Sequence, residues 1–295
     1  GAPWKTARQN SLRRPLVSVD DTPLPVLDRD HPAGIKKGHL WAYLGDREQV
    51  LFCEYTPTWE GVGPRTVLKD FKGYLQSDGY AGLDALFRGP DPPTRLGCLA
   101  HARRRFVQAL DAKDLRAAVP LELFRQLYHI EAQARQDHAD TAEVHRRRQA
   151  LSRPVLTRLH QVIQNLHGQA VPKSPLGKAT GYALNQWATL TVYLDDGALP
   201  IDNMHVERRH RKVALGRHNY LFCGSDEGAR RHAIISTVLG NCALSGVEPG
   251  AYLRDVLTKL AGDWPQARLH ELLPRPWAAA QQQPQHAEAQ QLLAS

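Results

Sequence analysis

IDNMHVERRHRKVALGRHNYLFCG, residues Ile201–Gly224, is the stretch from which the rest of the chain can be ordered. It opens on Asp202-Asn203, whose side chains can accept hydrogen bonds from the free N–H groups of a helix's first turn. A helix starting there puts Asn203, Glu207, His210 and Arg211 on one side, because residues three and four apart share a face. Glu207 is then ringed by Arg208, Arg209, Arg211, Lys212 and, further on, Arg217. Between Glu207 and Arg231 seven Lys/Arg stand against three acids. A carboxylate in such a field suggests a metal ligand beside a polyanion. The plain alternative is a solvated helix with ordinary ion pairs.

The 295 residues suit one large domain or two smaller ones. A composition of 42% hydrophobic and 23% charged residues is that of a soluble globular chain. The net charge of +8 favours a polyanionic partner, without separating DNA from RNA or acidic membranes. No apolar run approaches the roughly 20 residues that span a bilayer. The opening GAPWKTARQNSLRRPLVSV is basic but lacks the apolar stretch of a secretory signal. With no initiator Met, the sequence reads as a fragment, a processed product or an incomplete frame. Cys53, Cys98, Cys223 and Cys242 lie far apart; Cys98 and His101 have a ligand-like spacing, but no second pair completes a zinc site. Thiols in a reducing cytoplasm are the expectation.

Residues 1–15 read as a linker, polar and without periodicity. Leu16–Asp20 is a β-branched run ending in Asp20-Asp21 before Thr22-Pro23. Alternation sends those two acids to opposite faces, so only one can face a given site. His39–Leu44 and Val50–Tyr55 form a hairpin around Gly45-Asp46. Thr66–Phe71 has the spacing of a short helix. Tyr74–Asp78 is a strand ending in an acid, and Arg95–Leu99 a fifth strand that runs into a helix with Arg103, Arg104 and Arg105 on its polar side. From 115 to about 195 the pattern is helical, with stripes on Leu123/Leu127/Ile130/Ala134, on Val155/Leu159/Val162/Leu166 and over Leu176–Leu190. Helices follow at Ala229–Ser245 and Gly250–Ala261, and 278–295 is a low-complexity tail expected to be disordered.

This order of elements is that of an α/β, RNase H-like core. It predicts a mixed five-stranded sheet in two sequence pieces, 16–114 and 201–246, with an all-helical insertion at 115–200 and a helical C-terminal segment at 247–277. Asp20 and Asp78 then end the first and fourth strands, which are neighbours in that fold, and Glu207 sits on the helix after the insertion. Three carboxylates suit Mg²⁺, with Mn²⁺ as a substitute, rather than zinc. Asp21, Asp28, Asp196 and Asp202 are rivals at this level.

Seven stretches in order carry a closer likeness: VDDTPLPVLD, GYLQSDGYAGLDALF, GCLAHARRRF, VPKSPLGKATGYALNQW, IDNMHVERR, VALGRHNYLFCGSDEGARR and AYLRDVLTKL. Over about Val17 to Pro274 the chain resembles the insertion sequence 66 family of DDE transposases. The resemblance implies catalytic, metal-holding roles for Asp20 in D-(D/E)-T-P, Asp78 in LQ-x-D-x-Y and Glu207 in DN-x-x-x-ER. The chain departs from the family pattern at Met204 (usually Asn), Leu99 (usually Trp) and Lys212 (usually Pro). The resemblance also implies upstream zinc-binding and helical segments for recognising DNA ends, which this stretch does not contain.

The function so implied is divalent-metal-dependent cleavage at transposon ends and strand transfer to target DNA. A nuclease that only hydrolyses, or a remnant that only binds DNA, are the alternatives. Arg103, Arg104, Arg105, Arg208, Arg209, Arg211, Lys212, Arg217, Arg230 and Arg231 are the expected phosphate contacts, each equally readable as solvated surface. Trp187 could stack on an unpaired base, although an aromatic in a helical stripe is more often core. The expected setting is a bacterial cytoplasm, with the protein on the nucleoid when bound to DNA. Double-stranded DNA is the expected partner, with assembly into a homo-oligomer on it, accessory proteins of the same element, and no membrane.

Overall fold

The computed structural model describes residues 3–13, 15–46 and 50–281. α1 (Pro3–Leu12) stands where the sequence predicts a linker. Its Ala7 and Ser11, four residues apart, are both buried, and the Ser11 hydroxyl donates to the Tyr43 carbonyl at 3.3 Å. Two small side chains on one face let a helix of otherwise polar sequence lie close against strands.

β1 (Leu16–Leu27) continues through Asp20-Asp21 and two prolines, whereas the sequence predicts that the strand ends at the acid pair. It pairs antiparallel with β2 (Ile35–Gly45), with Asp20 opposite Ala42 and Asp21 opposite Trp41. The Pro23 and Pro25 carbonyls accept from the Arg217 side chain and the Cys223 N–H. These residues therefore turn their backbone away from β2, and their missing N–H groups fall outside the β1–β2 ladder. β3 (Val50–Thr56) completes an antiparallel trio. α2 (Val62–Leu68) starts ahead of the predicted Thr66, with Pro64 accommodated in its first turn.

The chain divides into two compact units, Gly1–Phe71 with His205–Ser295, and Lys72–Met204. The second holds β4 (Tyr74–Gln76) and β5 (Thr94–Leu96), paired in parallel, followed by α3 (Leu99–Asp111). Both strands are shorter than predicted, and Asp78 lies just past the end of β4. α4 (Ala118–Gln136), α5 (Thr141–Arg147), α6 (Arg153–Gln169), α7 (Pro175–Asn185) and α8 (Trp187–Thr191) follow. The helix predicted over Leu176–Leu190 breaks at Gln186, and Trp187 opens α8 stacked on His160 at 4.5 Å.

Arg148, 1% exposed, lies within a π-helical turn at Arg148–Ser152. All five of its N–H donors are used: two on the Glu131 carboxylate and three on the carbonyls of Tyr193, Asp196 and Leu199. A buried guanidinium is tolerated only when its charge is matched and every donor is satisfied, and here both conditions hold. The fold class is α/β with a five-stranded mixed sheet, order β3-β2-β1-β4-β5.

The chain returns to the first unit through α9 (Met204–Tyr220), α10 (Asp226–Leu244) and α11 (Pro249–Ala261). Leu24, Val26, Leu40, Ala42, Leu44 and Leu51 on one sheet face form a core with Val206 and Val213 of α9 and Ala229 and Ala233 of α10. Within this unit β3 is the outer strand, and α10 covers its open edge. Thr237 accepts from Cys53 N–H, while Asn241 both accepts from and donates to the Leu51 backbone. Side chains thus stand in for a missing neighbouring strand. α11 builds a smaller core of Cys242, Tyr252, Val256, Leu269 and Leu272. Residues 274–281 are helical, so the predicted tail starts later than 278; the rest of it lies outside the described residues.

Candidate functional site

Asp20 and Asp21 are adjacent on β1, and the pleat separates them as it must. Asp20 shares its face with Leu24 and Val26, the face on which α9 packs. Asp21 faces the other way. Its Oδ2 lies 2.5 Å from His39 Nδ1, its Oδ1 accepts from Trp59 Nε1 at 3.1 Å, and the Trp59 ring stacks on His39.

α9 runs along β1 in the same direction. His205 Nε2 meets the Ser18 hydroxyl at 2.8 Å, His210 Nε2 meets the Asp20 carbonyl at 3.1 Å, and Arg217 reaches the Pro23 carbonyl. His210 Nε2 is also 3.8 Å from the Asp20 carboxylate. Glu207 stands one turn before His210 in the first turn of α9. As an acid in the first turn, Glu207 also complements the helix dipole. Burial holds the His210 imidazole below its ordinary pKa, against the opposing pull of the Asp20 carbonyl and the Asp21 charge.

Asp78 is placed by a different set of contacts in the second unit. Its Oδ1 accepts from Tyr80 N–H at 3.0 Å, and its carbonyl accepts from the Tyr182 hydroxyl at 2.6 Å. Gly79 follows at φ +89°, a conformation that side-chain-bearing residues rarely adopt. Gln76, fully buried two residues earlier, donates to the carbonyls of Gly97 and Pro200.

The rival acids have structural employment. Asp28 pairs with Lys36 at 3.1 Å, and Asp196 accepts from Ala198 N–H. Asp202 uses both oxygens, Oδ2 accepting from the Tyr128 hydroxyl at 2.7 Å and Oδ1 from Met204 N–H at 3.1 Å. The predicted cap at Asp202 is thus met, and the Asp of the DN pair is a mount for the helix.

The ten expected phosphate contacts separate into groups. Arg208 and Arg211 project from α9 into solvent, as do Arg103, Arg104 and Arg105 from α3. The Arg105 guanidinium stacks on the Tyr182 ring at 4.2 Å. Arg209 donates to the His205 carbonyl and Arg217 to that of Pro23, so both are tied to the fold. Arg230 and Arg231 both pair with Glu227. The Lys212 side chain lies outside the described residues. All four cysteines are free thiols; burial pushes Cys53 up to about 12, and Cys98 Sγ accepts the Asn203 N–H at 3.5 Å.

The sequence assigns no role to Tyr128 or Arg148, and it places His205 and His210 in the motif without assigning them contacts. The two histidines carried a signal, since both fall inside the most cationic motif. α9 is polar nearly all round, and its inward-facing stripe of buried Val206, His210 and Val213 with the half-buried Arg217 follows helical spacing although only two of the four are apolar.

The class these features define is an α/β protein that packs an acidic strand position under a strongly cationic helix. The chain belongs to the IS66 transposase family: the family described as "Transposase IS66 family" matches residues 4–231, and "IS66 C-terminal element" matches 237–275. Among curated relatives, "Uncharacterized protein y4jD" of Sinorhizobium fredii is 32% identical over 291 residues, covering 91% of this chain and 55% of that protein. "Uncharacterized protein y4hP" of the same organism is 32% identical over 285 residues, covering 88% and 50%. The chain therefore spans about half the length of the curated relatives it matches. No solved structure matches it. No described helix is long and apolar enough to cross a membrane.

Proposed function

We propose that this chain supplies the phosphoryl-transfer chemistry of a DDE-class DNA transposase, cleaving at transposon ends and joining the freed 3′-hydroxyl to target DNA. Asp20, Asp78 and Glu207 are the residues assigned to hold Mg²⁺, or Mn²⁺ in its place. The donor set fits, since three carboxylates offer the hard oxygen ligands these ions take. Such ions, when bound, activate the attacking water or hydroxyl and stabilise the leaving oxygen. The remaining work falls to the chain. The exposed Arg208 and Arg211, with Arg103–Arg105, contact phosphates without reading sequence, and Arg209 and Arg217 keep α9 in place. Double-stranded DNA is the partner. Assembly into a homo-oligomer on DNA, accessory proteins of the same element and a place on the bacterial nucleoid belong to the same reading.

One observation carries the assignment within the D-D-T-P motif: Asp20 lies on the face of β1 that bears α9, while Asp21 is spent on His39 and Trp59. The test is purified protein with pre-cut transposon ends, Mg²⁺ and a second duplex. Joined product is expected. Hydrolysis without joining would make the protein a nuclease, and DNA binding without metal-dependent nicking would make it a binding remnant.

A further inference from the structure

Residues 195–203 contain neither helix nor strand, and an ordinary connection of that kind leaves its backbone to water. Here the backbone is gripped. Arg148 holds the carbonyls of Tyr193, Asp196 and Leu199 at 2.7–2.9 Å. Gln76 holds that of Pro200, and Leu99 N–H that of Ile201. A Cβ on Gly197 would sit 1.9 Å from the Thr141 carbonyl, so the loop is pressed onto the start of α5. At its far end stands Asp202, fixed by Tyr128 on one oxygen and fixing Met204 N–H, the first residue of α9, with the other.

We propose that Tyr128 is a positioning residue: through Asp202 it sets the first turn of α9, and with it Glu207. Segment 193–203 is on this account a built mount for the helix. The importance of Glu207 rests on the transposase reading; the mount itself does not. A half-buried hydroxyl donating to a carboxylate is among the stronger neutral-donor hydrogen bonds. Burial and the adjacent Asp202 charge hold the Tyr128 phenol far above its ordinary pKa, so it stays a donor. Tyr128 is well placed to act without touching substrate, because its hydroxyl is spent on Asp202.

The test is Tyr128→Phe, which removes one oxygen and keeps the ring. Amide exchange at residues 204–208 should quicken about tenfold, the effect of losing one hydrogen bond to a charged group, with the α4 and α6 cores unchanged. Half-saturating Mn²⁺ for DNA nicking should rise severalfold at unaltered DNA affinity. Asp202→Asn, which keeps an acceptor for Met204 N–H but loses the charge facing Tyr128, should fall between the parent protein and Tyr128→Phe, and Asp202→Ala, which loses both bonds, should quicken exchange beyond Tyr128→Phe. Parental exchange at 204–208 in Tyr128→Phe would overturn the proposal. So would quickened exchange throughout the chain, which is the mark of a merely structural role. If the parent protein nicks no DNA, the transposase reading fails while the exchange result still decides the mount.

Discussion

The two faces of β1 are made from alternate residues of one strand and have opposite characters. The α9 face carries Leu24 and Val26 towards one end and the polar Ser18, Asp20 and Thr22 towards the other, and two histidines of α9 meet it at Ser18 and Asp20. The other face holds its polar groups in closed pairs: Asp21 with His39 and Trp59, and Tyr43 with the half-buried Glu54, whose carboxyl is raised by burial. A carboxylate already bonded on both oxygens is poor material for a metal site, because binding would first have to break those bonds. The difference between Asp20 and Asp21 follows from strand parity: Asp21 faces His39 and Trp59, and Asp20 faces α9.

The comparison breaks first on activity. Asp20→Asn, Asp78→Asn and Glu207→Gln should each reduce Mg²⁺-dependent nicking to background while the circular dichroism spectrum stays parental. Asp21→Asn should retain nicking within a few-fold. Loss of nicking in Asp21→Asn with retention in Asp20→Asn would reverse the assignment.

Stability should separate the faces next. Leu24→Ala on the α9 face opens a cavity in a fully buried position and should cost about 2–5 kcal/mol in denaturant unfolding. Asp21→Asn leaves His39 poorly paired and should cost about 1–3 kcal/mol. A smaller Leu24→Ala cost than that of Asp21→Asn would mean the polar face carries the fold.

A pH-dependent contribution belongs to the α9 side. His232 on α10 is half-buried beside Tyr220, its Nε2 has no hydrogen-bond partner among the described residues, and burial lowers its pKa. The unfolded chain therefore binds a proton that the folded chain resists, so stability should fall as pH drops below about 6.5. His232→Leu should flatten that decline, as read from urea midpoints between pH 5 and 8. An unchanged slope would place the decline elsewhere. The smallest effect is expected from the outer surface of α9: Arg208→Ala with Arg211→Ala should lower the salt slope of DNA binding by about 0.9 per lost phosphate contact. Arg217→Ala should instead act through stability, and equal slope losses from all three would contradict the division between exposed and tied arginines.

Part of this was legible in residue order. Period-2 alternation separated Asp20 from Asp21, Asp202 marked the start of α9, and helical stripes marked the region after 115, because each signal lies within a few residues of its own cause. The full length of β1 was not legible. Two prolines argue against a continuing strand until a neighbour shows which side their missing N–H groups face. α1 was hidden because its buried contacts are an alanine and a serine, and the inward face of α9 because it includes a buried histidine and a half-buried arginine. Arg148 looks, in sequence, like one more cation in a run of three. By itself the sequence determined the family, the alternation of the strand and the cationic helix, all of which are local patterns of side-chain type. Only the tertiary structure decided which polar groups are spent. Whether Asp21, Asp202, Arg148 or Arg217 has a partner depends on residues tens of positions away, and no local pattern carries that information.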